Sequence, residues 1–292
     1  MDPHLLRTFV AVAETGSFSA AADRLAFTQS AVSQQIAALE SDLGTPLLTR
    51  RPVTLTAAGS RLLRHARLLL VRMEAARADV TRSVVPPGRL VLAVTPLAWT
   101  GAVAGALAEL RAASTRLSTR LLITAYDRAV TLAVTGEADL ALADGFTAPS
   151  DPLRLPDPGA ASAVRVTESP AVLALPTAHP LAARSAVSLA DLADAYWIDA
   201  PEIAPFTRLP VDGLRAGTRY EGTDATVLTG LIATGHGLAV LPAPVAAAAS
   251  GVAAVPITAP RLVHRIELLR SPAVPDPADP AARFAALLTG DS

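Results

Sequence analysis

From about Ala57 to Arg82 the chain carries one unbroken helical pattern, in which Leu62, Ala66, Leu69, Met73, Ala76 and Val80 recur at spacings of four, three, four, three and four. That is a heptad seam. A stripe so long and regular must be covered, and a second helix of the same kind covers it better than the short domain at its N-terminal end. The six residues are therefore expected to form a dimerisation surface. Thr56 is placed to cap the helix, and VVPPG, residues 84–88, ends it, because a proline disfavours helix in the residue before it. The seam divides the chain into residues 1–58 before it, a dimerisation helix and hinge over 59–88, and everything beyond.

The first segment reads as short helices followed by a hairpin. Leu5, Leu6, Phe9, Val12 and Ala13 make one apolar face and Gly16 ends it. Ser19 is the expected cap of a second helix through Ala21, Ala22 and Leu25, and Phe27 occupies the turn. Thr28 then caps FTQSAVSQQIAALE, whose inward set is Val32, Ile36, Leu39 and Leu43, and Gly44 stops it. LLTRRPVTL, residues 47–55, breaks at Arg51-Pro52 into a very short hairpin. Three helices and a hairpin in this order form a winged helix-turn-helix. In such units the N-terminal residues of the second motif helix meet base edges in the major groove. Thr28, Gln29, Ser30, Ser33 and Gln34 point away from the apolar set. Glutamine can bond an adenine edge with two bonds, and serine or threonine serves base or phosphate. Arg50 and Arg51 on the wing, with Arg61 after it, can supply phosphate attraction, whereas Arg64 and Arg67 read as solvated.

Beyond the hinge the style becomes α/β. RLVLAVTP (89–96), RLLITAY (120–126) and ADLALADG (138–145) are strands, with a helix over 98–113 and another after 126. That order implies a parallel sheet covered by helices. A second set follows, with strands at 171–176, 196–201 and 237–242 and helices at 188–195 and 224–234; RIELL (265–269) and a helix over 282–288 come last. The expected architecture is an α/β multidomain chain in which two Rossmann-like subdomains, 89–160 with 262–292 and 161–261, enclose a cleft. Ligands in such sheets sit at strand C-termini and helix N-termini. Position selects Thr95, Pro96, Tyr126 and Asp144 on one side and Asp199, Phe206, Thr223 and Asp224 on the other. Thr95 and the helix start after it could hold a carboxylate. Asp144 would favour a cationic or hydrogen-bond-donating ligand, unless it pairs with an arginine or faces solvent.

Composition narrows the functions available. There is no cysteine, so disulfides, thiolate zinc sites and a cysteine nucleophile are excluded. Every Lys or Arg is an arginine, and residues 1–88 hold ten Arg against seven acidic residues, while 89–292 hold fifteen against nineteen. A mildly basic head on an acidic body fits nucleic-acid binding. No secretion signal is read at the start. The uncharged runs Leu90–Ala108 and Val227–Pro260 are broken by Gly and Pro, so buried α/β units explain them better than membrane spans. His4, His65, His179, His236 and His264 are scattered, and neither G-x-S-x-G nor a phosphate loop occurs. No enzyme activity, metal or cofactor is expected.

The head carries F-x-x-V-A, G-S-F-S-x-A-A, S-A-V-S-x-Q-I-x-x-L-E and L-T-x-A-G in order over residues 4–70. It resembles the DNA-binding head of the LysR-type transcriptional regulators. EADLALAD, LALPTAHPLA and GLIATGHGLAVLP resemble, more loosely, that family's periplasmic-binding-protein-like effector domain. The resemblance implies a bacterial cytoplasmic homodimer or dimer of dimers on double-stranded promoter DNA. It also implies a small-molecule effector in the cleft, RNA polymerase as a further partner and no membrane. Among the cleft residues it singles out Thr95, Tyr126, Asp144 and Phe206. The wing, TRRPVTLT, is shorter than the family's frequent basic turn, so the resemblance does not extend to a minor-groove contact there. Leu48 stands where the family usually has phenylalanine. Two alternatives stay open: a regulator whose cleft works without a ligand, and a solute-binding protein or enzyme on the same scaffold.

Overall fold

The computed structural model describes residues 1–82, 88–114, 116–154, 162–270 and 279–290. They form two compact units, Met1–Val80 and Thr81–Ser292. Of the expected hinge VVPPG, only Gly88 lies within the described residues.

The first unit opens with α1 (Pro3–Thr15), capped by the Asp2 carboxylate and closed by Gly16 in the left-handed region. The second helix, α2 (Phe18–Leu25), is capped by Ser17, which accepts from the Ala20 amide, and not by Ser19 as the sequence suggested. Ser17 follows Gly16 directly and is extended, the geometry a cap needs. α3 (Gln29–Leu43) is capped by the Thr28 hydroxyl and stopped by left-handed Gly44. The strands β1 (Leu48–Arg50) and β2 (Val53–Leu55) pair antiparallel as the wing. Leu6, Phe9, Val12, Ala21, Val32, Ile36, Leu39 and Leu47 form one buried core. Leu43, expected inward, is 39% exposed, because the helix has already run past that core.

The wing is fastened from beneath. Glu40 Oε1 accepts from the amides of Leu47 and Leu48 at 2.8 and 3.2 Å, and its Oε2 pairs with Arg50 at 3.0 Å. Thr56 caps the long helix α4 (Ala57–Arg82) through the Gly59 amide. A Cβ on Gly59 would stand 2.0 Å from the Leu47 carbonyl oxygen, so only glycine lets the helix start against the wing. The L-T-x-A-G motif is thus a cap and a close approach. Along α4 the expected seam divides: Ala66 is buried in the head's own core and Leu62 packs against it. Farther on, Leu69 is 41% and Val80 69% exposed, Ala76 is exposed and Met73 half-buried.

In the second unit β3 (Arg89–Val94), α5 (Gly101–Ala112), β4 (Ser118–Ile123), α6 (Tyr126–Val134) and β5 (Leu140–Thr147) build a parallel sheet in the order β4-β3-β5. The first helix begins at Gly101 and not Ala98, because Pro96–Ala98 form a separate 3₁₀ turn. β6 (Ser162–Pro176) is longer than the expected strand at 171–176. Over Ser162–Pro170 it pairs with β12 (Val263–Arg270), which itself pairs with β5. Over Ala171–Pro176 it pairs with β10 (Ala239–Pro242) and β11 (Val252–Ala259). β6 thus passes from one half of the unit to the other near Pro170, and the return crossing is beside it at Leu262, whose carbonyl accepts from the Ala171 amide; the expected boundary residue 161 lies outside the described residues. In the second subdomain β7 (Val187–Ser188) leads into a 3₁₀ turn, Leu189–Leu192, where a helix over 188–195 was expected. β8 (Tyr196–Asp199) pairs with β9 (Arg215–Arg219), and α7 (Ala225–Ala233) and α8 (Ala243–Ala248) complete this half. α9 (Pro280–Thr289) returns to the first half, where Phe284 joins Leu92, Leu142 and Ile266 in the core. β6 is buried on both faces in the second half: Val172 and Ala174 enter one core, Leu173 and Leu175 the other. That is why its sequence there reads as a continuous apolar run.

Candidate functional site

The head presents one exposed polar face. Val32, Ile36 and Leu39 are fully buried, which turns Gln29, Ser30, Ser33 and Gln34 outward on the first two turns of α3, and all four are exposed. The adjacent glutamines divide their duties: Gln35 accepts a hydrogen bond from the buried Thr8 hydroxyl on α1, while Gln34 faces solvent. Thr28 is exposed but occupied as the cap, accepting from the Ala31 amide at 3.2 Å and lying 3.1 Å from the Ser30 hydroxyl. The wing arginines are not equivalent. Arg50 pairs with Glu40 and lies over the Phe18 ring at 5.0 Å. Arg51 is exposed at the hairpin turn. Arg67 pairs with Glu14 at 3.1 Å and is thus a structural residue of the head.

In the second unit a pocket opens between the two subdomains, with about 380 Å³ of empty space when its open mouth is included. It is lined by Thr95, Tyr126, Asp144 and Phe146 from the first subdomain and by Glu202, Ile203 and Arg208, among others, from the second. Three of the eight expected cleft residues, Thr95, Tyr126 and Asp144, meet there. The other five do not line it: Pro96 begins the 3₁₀ turn, Asp199 pairs with Arg219 at 2.6 Å, and Phe206 packs into the second subdomain's core. Asp224 caps α7 through the Thr226 amide at 2.8 Å, and Thr223 is half-buried just before it.

The polar groups at the pocket floor are engaged with one another. Asp144 is 6% exposed; its Oδ1 accepts from the Thr95 hydroxyl and its Oδ2 lies 2.8 Å from His264 Nε2. The Thr95 hydroxyl also accepts from the Asp144 amide at 3.0 Å. Asp144 thus pairs with a histidine from β12, and neither with an arginine nor with solvent. Thr95 precedes the 3₁₀ turn Pro96–Ala98, and its hydroxyl is engaged with Asp144 and makes no capping bond to that turn. Tyr126 donates from its hydroxyl to the Arg154 carbonyl at 3.1 Å, and burial pushes its phenol up to about 12, a rise the Arg208 charge partly offsets. It stays a neutral donor near pH 7.

Sequence reasoning passed over Arg208, Glu202 and His264. The signal for the last lay in VHRIELL, where His264, Arg265 and Glu267 interrupt a strand that is otherwise apolar; all three are buried. Arg265 bonds Glu168 at 2.7 Å and the Pro149 carbonyl at 2.9 Å, and Glu267 accepts from the Leu153 amide at 3.1 Å. Among the described residues no group of three or more His, Cys, Asp or Glu could hold a metal ion, and no helix is long and apolar enough to cross a membrane.

Residues 3–60 match the model of the bacterial regulatory helix-turn-helix protein, lysR family, and residues 84–290 match that of the LysR substrate binding domain. The chain is 36% identical over 213 residues to the HTH-type transcriptional regulator BudR of Raoultella terrigena, covering 70% of each chain. It is 36% identical over 197 residues to a probable hydrogen peroxide-inducible genes activator of Mycobacterium avium, covering 65% of this chain and 59% of that one. Among solved structures, full-length BenM superposes with a TM-score of 0.56 at 23% identity, covering 99% of this chain and 95% of that chain. Full-length CbnR complexed with its target DNA gives 0.51 at 24% identity, covering all of both chains. At these identities the solved structures speak for the fold alone.

Proposed function

Because this chain belongs to the LysR family, as a DNA-binding transcriptional regulator with an effector-binding domain, we propose that it works as a pair, or a pair of pairs, joined through α4. The N-terminal face of α3 reads promoter DNA in the major groove. The observation that carries this is the exposed set Gln29, Ser30, Ser33 and Gln34 over the fully buried Val32, Ile36 and Leu39. Gln29, Ser33 and Gln34 supply base contacts, each contributing about 1–3 kcal/mol of discrimination where its geometry is good. Thr28 and Ser30 fix the helix start, whose amides favour a phosphate. Arg51 supplies phosphate attraction from the wing, and Arg50 mainly holds the wing to Glu40.

The two subdomains of the second unit enclose the effector site, and a small molecule there biases the arrangement of the paired heads by binding one arrangement better than the other. RNA polymerase is a further partner in this reading. Two heads related by a two-fold axis meet half-sites about 34 Å apart, or multiples of that. Footprinting the purified protein on DNA flanking its coding region, with and without cell metabolites, tests it. Paired protected stretches one or more helical turns apart are expected, and protection with no paired pattern overturns the dimeric reading. A second reading, in which the cleft works without a small ligand, draws on the mutual engagement of Thr95, Asp144 and His264. A thermal-shift screen of small metabolites separates the two.

A further inference from the structure

Arg208 belongs to the second subdomain, at the end of the 3₁₀ turn Phe206–Arg208, yet its partners lie in the first. Its Nη2 donates to Asp127 Oδ1 at 2.8 Å, and its Cζ stands 4.4 Å from the centroid of the Tyr126 ring. Tyr126 and Arg208 both line the pocket. Asp127 and Tyr126 occupy the first turn of α6, and the Tyr126 hydroxyl is anchored on the Arg154 carbonyl, so the acceptor platform is fixed. The backbone already joins the subdomains at the paired crossings near Pro170 and Leu262. Leu97 and Phe146 of the first also pack against the cores of the second, and Arg208 adds a polar contact across the pocket.

We propose that Arg208 is a latch across the effector cleft, held by the Asp127 carboxylate and the Tyr126 ring, whose release opens the pocket. The proposal rests on the reading of that pocket as the effector site. The strength of the contact suits a latch rather than a lock. The Arg208 and Asp127 side chains are 44% and 72% exposed, so their ion pair is solvated and screened by salt, and the contact with the ring adds a modest attraction. A contact of this kind biases the cleft toward closure by roughly two- to five-fold and can still be displaced. An effector group that bonds the guanidinium directly would compete with Asp127 for it.

The chain has no cysteine, so two introduced thiols can be spin-labelled without background. Ala108→Cys on α5 and Ala247→Cys on α8 place labels at exposed positions in the two subdomains. Distances are read by pulsed electron resonance in the full-length protein, diluted into excess unlabelled chain, with no small molecule added. Arg208→Ala and Asp127→Asn are each expected to move population to longer distances, lowering the closed-to-open ratio roughly two- to five-fold. The double variant should add nothing further, and high salt should act in the same direction on the parent and not on the variants. Unchanged distributions in both single variants overturn the latch, and a shift with Arg208→Ala alone overturns the Asp127 ion pair as its basis. Neither outcome depends on a ligand being found, whereas failure of the effector reading would appear as an empty metabolite screen with the latch intact.

Discussion

Replacing Glu40 by alanine removes the carboxylate that fastens the wing to α3. Its side chain is 15% exposed and accepts from the Leu47 and Leu48 amides and from Arg50. A hydrogen bond to a charged acceptor contributes about 1.5–3 kcal/mol, and the amides, only part-buried, regain some of that from water once the wing loosens. The expected loss in local stability is therefore about 2–4 kcal/mol. Glu40→Gln is the control: its amide oxygen can still accept from the two backbone amides, and only the Arg50 ion pair is lost. That pair involves an arginine side chain 45% exposed, so its loss costs about 0.2–1 kcal/mol. Hydrogen exchange of the full-length protein, read on peptides covering residues 45–56, reports the difference directly. Glu40→Ala should accelerate exchange at Leu47 and Leu48 by roughly 30- to 700-fold, and Glu40→Gln by less than about six-fold. Equal acceleration in the two variants would show that the ion pair, and not the backbone acceptor, holds the wing. No acceleration in either would refute the fastening altogether.

Gln34→Ala should narrow the affinity ratio between the preferred duplex and single-base variants of it, measured by gel shift; an unchanged set of ratios would mean Gln34 reads no base. Arg51→Ala should weaken binding to all sequences alike and flatten the salt slope by about one unit. Arg50→Ala should flatten it by less, because that guanidinium is already engaged with Glu40. Replacing Leu69 and Met73 together by glutamate should shift the protein to monomer in sedimentation, since these side chains lie on the part of the seam that the head leaves uncovered. A dimer of unchanged stability would place the interface elsewhere.

The head was largely legible because its signals are local. A cap, an apolar spacing of four and three, and a left-handed glycine each act within one turn of helix, and the Thr28, Gly44 and Thr56 readings rest on nothing farther away. Ser17 was missed in favour of Ser19 because both are good capping residues, and only the backbone after Gly16 decides between them. The seam was legible as a period but not as a division of labour. That Leu62 and Ala66 serve the head depends on where α1 and the wing pack. The same limit explains the second unit, where strands of apolar composition were found at 89–94 and 239–242. The 3₁₀ turn at Leu189–Leu192 and the early strand Ser162–Pro170 depend on partners far along the chain.

The cleft shows why position along a strand does not by itself assign a ligand contact. Asp144 and Thr95 are where a doubly wound sheet exposes its strand ends, and both line the pocket. Yet a carboxylate taken out of water needs partners, and in this chain they come from within the fold. Thr95 supplies one and His264, from a strand 120 residues later, supplies the other. Those bonds stabilise the sheet where β12 meets β5, close to the crossings on which the subdomains would hinge. The same bonds leave Asp144 little capacity to select a ligand by charge. In the effector reading, selectivity would then pass to side chains on the opposite lip, Arg208 and Glu202, which are less buried and line the pocket from the second subdomain. If Arg208 latches the cleft as proposed, that lip moves when the cleft opens, and groups placed to recognise an effector are also groups whose positions would report it.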